Sequence, residues 1–275
     1  MIDCIVSSKD RACQLDLTLR SMALNYKELS KITVLYKASD PEYQKGYDVL
    51  MSTDYGVPIE YVSETSYGSD YRKILSQLTA PYFMGFNDDN MVITDEPVGL
   101  LLELLKTDDT ICTASLRLNP NYNYCQPANK YLEIPEFIVK DKYLKWDWTK
   151  VDPFTCWGYP HPGDNNIYRM EYYKELISRC TLSSPSIEGE ICCKVNKTKP
   201  YLVSLLNTKI LTTVNNITND WGNNPTLKEE EYSLSFLNKL YLEGKRIDLQ
   251  DIIDNNRNPT SGWTDYKWKY LNGKD

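Results

Sequence analysis

The chain has 275 residues, of which 41% are hydrophobic and 25% charged, with a formal net charge of −7 at pH 7. That length predicts one large domain with enough chain to bury a core, while an acidic balance without any lysine–arginine block excludes nucleic acid as the main partner. No apolar run reaches the length of a transmembrane span, and the opening Ile2-Asp3-Cys4-Ile5-Val6 is no signal peptide. The expectation is a cytoplasmic protein, with a peripheral place at the membrane left open. The 8 cysteines include the adjacent Cys192-Cys193 and no Cys-x-x-Cys pattern, so they read as reduced thiols. With 22 Tyr and 6 Trp against 5 Phe, the aromatic content suits the stacking of sugars as well as it fits a compositional bias.

In chain order, the first half alternates strand and helix signals, which predicts a largely parallel sheet flanked by helices. Residues 2–7 form a short apolar strand, followed by a helix with Leu15, Leu19 and Met22 on one face. Residues 31–36 and 59–62 are the next strands. Tyr71, Ile74, Leu75 and Leu78 mark an amphipathic helix, and residues 82–86 a buried strand. Asp95 is placed to cap a helix carrying Val98, Leu101 and Leu105, and residues 111–118 read as a strand. From 119 to about 164 the chain is rich in Asn, Tyr, Pro and Trp, the mark of a functional excursion over the sheet. Residues 168–177 look helical, Ser184 to Glu188 can open a short helix, and 209–214 is strand-like. Thr226 and Glu229 form a capping-box pattern for a helix through Leu234, Leu237 and Tyr241, which Gly244 ends. The polar tail beyond Asn255, with Trp263 and Trp268, reads as a lid or a docking arm.

The strand of residues 82–86 runs into Asn87-Asp88-Asp89-Asn90. Adjacent carboxylates at a strand end repel, and burial raises their pKa values unless a cation sits nearby. A hard divalent ion such as Mg²⁺ or Mn²⁺ offsets that cost and bridges carboxylates to phosphates. The same four residues are also good turn formers.

At this point the chain resembles the GT-A glycosyltransferases, Rossmann-like proteins that use nucleotide-diphosphate sugars. Ile5-Val6-Ser7-Ser8-Lys9-Asp10-Arg11 is similar to the opening strand and loop that hold the base and ribose. Phe86-Asn87-Asp88-Asp89 is similar to the metal-binding Asp-x-Asp region in a variant form. Ser115-Leu-Arg-Leu118 with the following Asn-Tyr-Asn-Tyr-Cys, Trp157-Gly-Tyr-Pro, Asp164, Arg169, Ser184 to Glu188, Leu237 to Leu240 and Tyr241 to Asp248 continue the likeness over most of the chain. Two departures stand out. The strict Asp-x-Asp is absent, and the only His, His161, lies in the central loop rather than near the C-terminus.

The resemblance implies an α/β, GT-A (Rossmann-like) mixed, mostly parallel sheet flanked by helices. Residues 1–118 form the nucleotide-sugar half, and 119–275 the acceptor side with the C-terminal helices. It implies transfer of a sugar from a UDP-, GDP- or dTDP-linked donor to a glycan or lipid-linked acceptor, assisted by Mn²⁺ or Mg²⁺, as in polysaccharide biosynthesis. Asp89 is the first candidate for the metal, with Asp88 beside it on the metal or the ribose. Ser7, Asp10, Arg11, Asp70, Arg72 and Arg117 are donor-side candidates; Asp10 also suits a helix cap, and Arg72 a solvated face. Arg117 interrupts an apolar strand and needs a partner, either phosphate or the Asp pair. An inverting reaction needs a base, for which Glu188 and Asp164 are candidates and Glu190 an alternative. Trp157, with Tyr159 and His161, is expected on the acceptor wall, although Trp146, Trp148 and Trp157 would serve equally as core. The competing reading is a catalytically inactive carbohydrate-binding protein of the same fold. A sugar nucleotidyltransferase is disfavoured, because residues 1–45 contain no glycine for its phosphate-cradling loop.

Overall fold

The computed structural model describes residues 1–126, 129–140, 142–182, 187–191, 194, 196–213, 215–216, 218, 230–256, 259–262 and 267–272. The strands are β1 (Ile2–Lys9), β2 (Leu29–Lys37), β3 (Ile59–Ser63), β4 (Tyr82–Asn87), β5 (Asn90–Val92), β6 (Ile111–Ser115), β7 (Tyr124–Cys125), β8 (Lys130–Tyr131), β9 (Ile138–Lys140), β10 (Tyr143–Asp147), β11 (Asn166–Arg169), β12 (Tyr201–Leu205), β13 (Ile210–Thr212), β14 (Lys245–Ile247) and β15 (Tyr270–Asn272). The helices are α1 (Ala12–Asn25), α2 (Pro41–Met51), α3 (Tyr67–Gln77), α4 (Gly99–Thr107), α5 (Met170–Ser178), α6 (Ile187–Ile191), α7 (Leu234–Leu242) and α8 (Leu249–Asn255).

A nine-stranded sheet in the order β3-β2-β1-β4-β11-β6-β12-β10-β9 forms the centre. Strands β3, β2, β1 and β4 are parallel; β11 runs against both β4 and β6, and β10 against β12. The sheet is thus mixed and mostly parallel, as expected, and it takes strands from both halves of the chain. Parallel strands covered on both faces need apolar side chains on both. Accordingly, Cys4 and Val6 of β1 join Met84 and Phe86 of β4 under α1, while Ile5 and Phe83 face the opposite layer with Tyr71, Ile74 and Tyr173. In α1, Leu15, Leu19 and Met22 are all fully buried.

Four expectations change. Asp95 does not cap α4, whose N-cap is Val98 without a side-chain bond. Residues 168 and 169 belong to β11 rather than to a helix, because Tyr168 pairs with Phe83 and Arg169 with Tyr82. Strand β12, parallel to β6 in the middle of the sheet, is a further element that the periodicity did not reveal. The described part of the tail packs on the body: Trp268 is buried against Tyr232, and β15 pairs with β14. Helix α7 ends as expected at Gly244, which adopts a left-handed φ of 85°. The capping pair Thr226–Glu229, Val214, Ser184 to Ser186, Cys192-Cys193 and Trp263 lie outside the described residues.

Trp157 belongs to this core and not to an exposed wall. It is fully buried, its indole N–H donates to the Tyr122 carbonyl at 3.0 Å, and its own carbonyl accepts from the Trp146 indole at 2.9 Å. Trp146 and Trp148 are buried too. Trp157→Ala is therefore expected to lower folding stability by about 3–5 kcal/mol, measured by urea unfolding. A variant of unchanged stability would remove Trp157 from the core account.

Candidate active site

The site opens where β1 and β4 end side by side, the carboxyl edge at which open α/β sheets bind ligands. Asn90 closes the turn after β4: its side-chain oxygen accepts from the Asn87 N–H at 2.7 Å, and its amide donates to Thr212 at 3.1 Å. The turn chemistry expected of Asn87 to Asn90 thus presents the acidic pair. Asp88 is buried, and its carboxylate accepts from the Lys9 N–H at 3.2 Å.

Arg11 lies between the two acids. Its Nη1 donates to Asp88 at 2.9 Å and to Asp89 at 3.1 Å, with Nε on the Asn216 side-chain oxygen at 2.9 Å and Nη2 on the Asn216 carbonyl. Gln14 also donates to Asn216, Lys9 reaches the Thr218 carbonyl, and Thr213 N–H bonds the Asp89 carbonyl at 2.7 Å. Residues 213, 216 and 218 are thereby tied to the acidic pair. In the sequence Asn216 stands out only as the first residue of an Asn-x-Thr match, which gives no hint of this contact.

A second pair continues the site. Asp164 accepts from Arg117 at 3.1 Å and from Asn87 at 3.3 Å, so it connects the end of β4 to Arg117. The partner demanded by Arg117 is this carboxylate, together with the Thr212 hydroxyl at 3.0 Å. Glu188, at the start of α6, is exposed to solvent, and its backbone and Cβ lie against Gly163, the neighbour of Asp164. Desolvation within the cluster and the charge of Asp164 raise its pKa to about 7, although Arg117 and a hydrogen bond from Tyr159 act the other way. Desolvation, reinforced by Asp88 and Asp164, likewise raises the Asp89 pKa to about 6 against the pull of Arg11.

These shifts bear on the metal. Four carboxyl groups (Asp88, Asp89, Asp164 and Glu188) meet two guanidinium groups, Arg11 and Arg117. Fully ionised, they leave an excess of two negative charges, and the neighbouring acids add to desolvation in raising the Asp89 pKa. Hard oxygen donors in negative excess fit Mg²⁺ or Mn²⁺. Among the described residues no three acidic, His or Cys side chains are grouped so as to hold a metal ion.

Other candidates sit elsewhere or do other work. His161 is fully buried, 3.1 Å from the Tyr172 hydroxyl and 3.7 Å from Cys112. Burial lowers its pKa to about 4, so it is a neutral core residue, neither an exposed contact for acceptor nor a metal ligand. Asp70 accepts from the Thr65 and Ser66 N–H groups and fixes the entry to α3. Arg72 donates to the Cys180 and Thr181 carbonyls beyond α5 and so is neither at the cleft nor a free solvated side chain. Asp10, in a left-handed conformation with φ 59°, binds the Ser39 N–H at 2.6 Å and caps no helix. Ser7 bonds the Tyr67 hydroxyl at 3.1 Å. Glu190 contacts Thr181, which leaves Glu188 as the glutamate facing Asp164.

Two glycines set the cleft floor. A Cβ on Gly85 would stand 2.4 Å from the Gly163 carbonyl oxygen, and one on Gly163 would meet Glu188 at 3.2 Å. A glycine inside a buried strand is the signal that could have flagged this close approach. Because β4 is held by neighbours on both sides, Gly85→Ala is expected to displace the Gly163–Asp164 turn and cost about 1–3 kcal/mol. Chemical unfolding measures this, and a change within about 0.5 kcal/mol would show that the turn yields freely.

No protein-family model matches the sequence, and no curated protein matches it. Solved structures do. The S. aureus TarS fragment 1–349 in complex with UDP-GlcNAc has TM-score 0.50 and 12% identity, over 74% of this chain and 55% of that one. The mannosyltransferase PcManGT from Pyrobaculum calidifontis, solved with GDP-Man and Mn²⁺, has TM-score 0.39 and 13% identity, over 65% and 46%. A cytidylyltransferase from Leptospira borgpetersenii has TM-score 0.43 and 12% identity, over 97% and 99%. The last two likenesses are too loose to carry weight, and at 12% identity the first speaks for the architecture alone. This chain also spans little more than half of that TarS fragment and 35% of the longer TarS chain. With its 3-2-1-4 parallel strands and one antiparallel strand inserted before β6, this chain has the Rossmann-like fold of the GT-A type.

Proposed function

We propose that this protein is a glycosyltransferase that moves a sugar from a nucleotide-diphosphate donor to a glycan or lipid-linked acceptor, with inversion and with help from a divalent ion. The observation that carries the reading is the juxtaposition at the end of β4: an acidic pair left in negative excess, and beside it a carboxyl group, Glu188, whose pKa is about 7. Departure of a nucleoside diphosphate builds charge on its β-phosphate. A bound Mg²⁺ or Mn²⁺ would offset that charge, and Asp89 and Asp88 are the residues that would hold the ion. Arg11, already on both acids and on Asn216, has one N–H of Nη2 left to offer a phosphate oxygen. Glu188 has the basicity to take the proton of the acceptor hydroxyl, since a catalytic base works best with its pKa near the working pH. Asp164, already paired with Arg117, positions that end of the cleft. No helix among the described residues is long and apolar enough to cross a membrane; we place the reaction in the cytoplasm, with a lipid-linked acceptor drawing the protein to a membrane surface.

Incubation with UDP-, GDP- and dTDP-sugars plus Mn²⁺ tests this. One donor is expected to release its nucleoside diphosphate slowly by hydrolysis and faster with an acceptor glycan. Binding of a nucleotide sugar without any turnover would favour the inactive carbohydrate-binding protein.

A further inference from the structure

Two cysteines far apart in the chain meet beside the cleft. The sulfurs of Cys125 and Cys156 lie 3.4 Å apart; Cys156 donates its S–H to Cys125 and accepts from the Tyr122 hydroxyl at 3.3 Å. Both are reduced thiols. Cys125 is buried at the end of β7, and Cys156 opens the turn of residues 156–158 that carries the fully buried Trp157. Among the described cysteines Cys156 alone is partly exposed, and it shares a wall of the cleft with Arg117, Tyr159 and Asp164. Other bonds hold the two segments side by side. The Trp157 indole donates to the Tyr122 carbonyl at 3.0 Å, and Lys130 of β8 pairs with Asp152 at 3.3 Å. The sulfurs are thus brought together by the fold around them. Elsewhere, Cys112 lies against His161 and Tyr172, and Cys180 donates to the Leu176 carbonyl.

We propose that Cys125 and Cys156 are a redox-active dithiol, which a small disulfide such as oxidised glutathione converts to an intrachain disulfide and a reducing thiol pool restores. The proposal is independent of the reaction assigned to the cleft. Geometry sets the first condition. Bonded sulfurs stand roughly 2.05 Å apart, so the pair has to close by roughly 1.4 Å. Trp157, locked in the core, fixes the Cys156 side, so the hairpin of β7 and β8 is the part that moves, and its Lys130 and Tyr131 are both exposed. Access sets the order of events. The Cys156 thiolate attacks the small disulfide, forming a mixed disulfide and expelling one glutathione thiolate. The Cys125 thiolate then attacks the Cys156 sulfur, forming the protein disulfide and expelling the second. Two electrons pass from the protein sulfurs to glutathione, and the two thiol protons end on the two reduced glutathione molecules. The hydrogen bond to Cys125 and burial hold the Cys156 pKa well above the usual thiol value, against the pull of Tyr122 and Arg117. Thiolate is therefore scarce and exchange slow, which suits a pair that follows the standing thiol–disulfide balance rather than a brief pulse of oxidant. Once formed, the bond closes the loop of residues 125–156 and ties the hairpin to the wall of the cleft. The exposed Lys130–Asp152 pair contributes little to that tie.

The test is equilibration of the full chain with mixtures of reduced and oxidised glutathione, followed by alkylation of the remaining thiols and peptide mapping by mass spectrometry. In oxidised glutathione the wild type is expected to lose the mass of two hydrogen atoms, with the cross-link mapping to Cys125 and Cys156, and dithiothreitol is expected to reverse it. Two variants separate the roles. Cys125→Ser removes the resolving sulfur and is expected to stop at a glutathione adduct on Cys156. Cys156→Ser is expected to leave Cys125 without an adduct, since that sulfur is buried. The thermal midpoint of the oxidised wild type is expected to rise over the reduced form by on the order of 5 °C, because the closed loop restricts the unfolded chain; neither variant shows this rise. Alkylation of both cysteines even in fully oxidised glutathione, or a cross-link from either of them to a third cysteine, would overturn the proposal. A Cys125–Cys156 bond that leaves the midpoint unchanged would overturn it too, since it would mean that the bond forms only after the hairpin has come away from the body.

Discussion

Asp89→Asn is expected to lower sugar transfer by on the order of a hundredfold to a thousandfold and at the same time to leave the fold as stable as before or more so. The two effects have one cause. Asp89 lies beside Asp88 and near Asp164, and its pKa is raised to about 6 by desolvation and by those two charges, net of the pull of Arg11. An acid whose pKa is higher in the folded state binds more protons folded than unfolded between its ordinary value and about 6. Stability therefore falls as pH rises through that window, and near pH 7 the ionised Asp89 is a cost to the fold. Asparagine removes the charge and keeps the shape, while Arg11 retains Asp88 and Asn216 as partners. The proposed cation and diphosphate lose a carboxylate that they need. Increased stability with lost activity is the signature of a residue kept for function. Transfer assays and urea unfolding measure the two sides. A variant that loses stability and keeps activity would make Asp89 a structural residue.

Glu188→Gln is expected to lower transfer by on the order of a hundredfold or more and to leave donor affinity nearly intact. Its diagnostic is the pH profile. With a pKa of about 7, the Glu188 carboxyl becomes a competent base only as the pH rises through neutrality, so wild-type kcat/KM is expected to climb with an apparent pKa near that value. The glutamine variant loses this limb, which a merely structural residue would not cause. For stability the sign is the opposite: a raised carboxyl pKa adds stability at low pH, and that contribution fades as pH rises through the window up to about 7. Near-normal transfer by Glu188→Gln would bring Asp164 forward as the base or point to a retaining reaction.

Most of the sheet was legible because buried parallel strands are written as apolar runs. The strands at residues 2–9, 29–37, 59–63 and 82–87 all emerged near their predicted bounds. Strand β11 did not emerge, because four residues cannot express a period of their own, and Tyr168 with the residues of α5 fits a helical spacing; pairing with β4 and β6 decides the matter. Strand β12 is a short apolar run of a kind that periodicity alone does not classify. In the site, Asp88, Asp89 and Arg117 were legible as charges in places where charge is costly, Arg11 by its place just past the first strand, and Asp164 and Glu188 by their place after loops rich in Pro and Gly. Asp70, Arg72 and His161 were misjudged for a shared reason. Their residue types suit ligand binding, but caps, neighbouring carbonyls or a core hydroxyl met their needs first, and such partners are tertiary facts. The part played by Asn216 was not legible, since an asparagine in a polar loop is ordinary until its bonds from Arg11 are known.

The most direct measurement is the affinity of UDP, GDP and dTDP for the wild-type protein by calorimetry, in Mn²⁺ and again in EDTA. The account predicts that one of the three binds in Mn²⁺, that EDTA weakens it at least about tenfold, a difference of about 1.4 kcal/mol, and that Asp89→Asn weakens it comparably. Equal affinity in Mn²⁺ and EDTA, or no binding of any of the three, would contradict it.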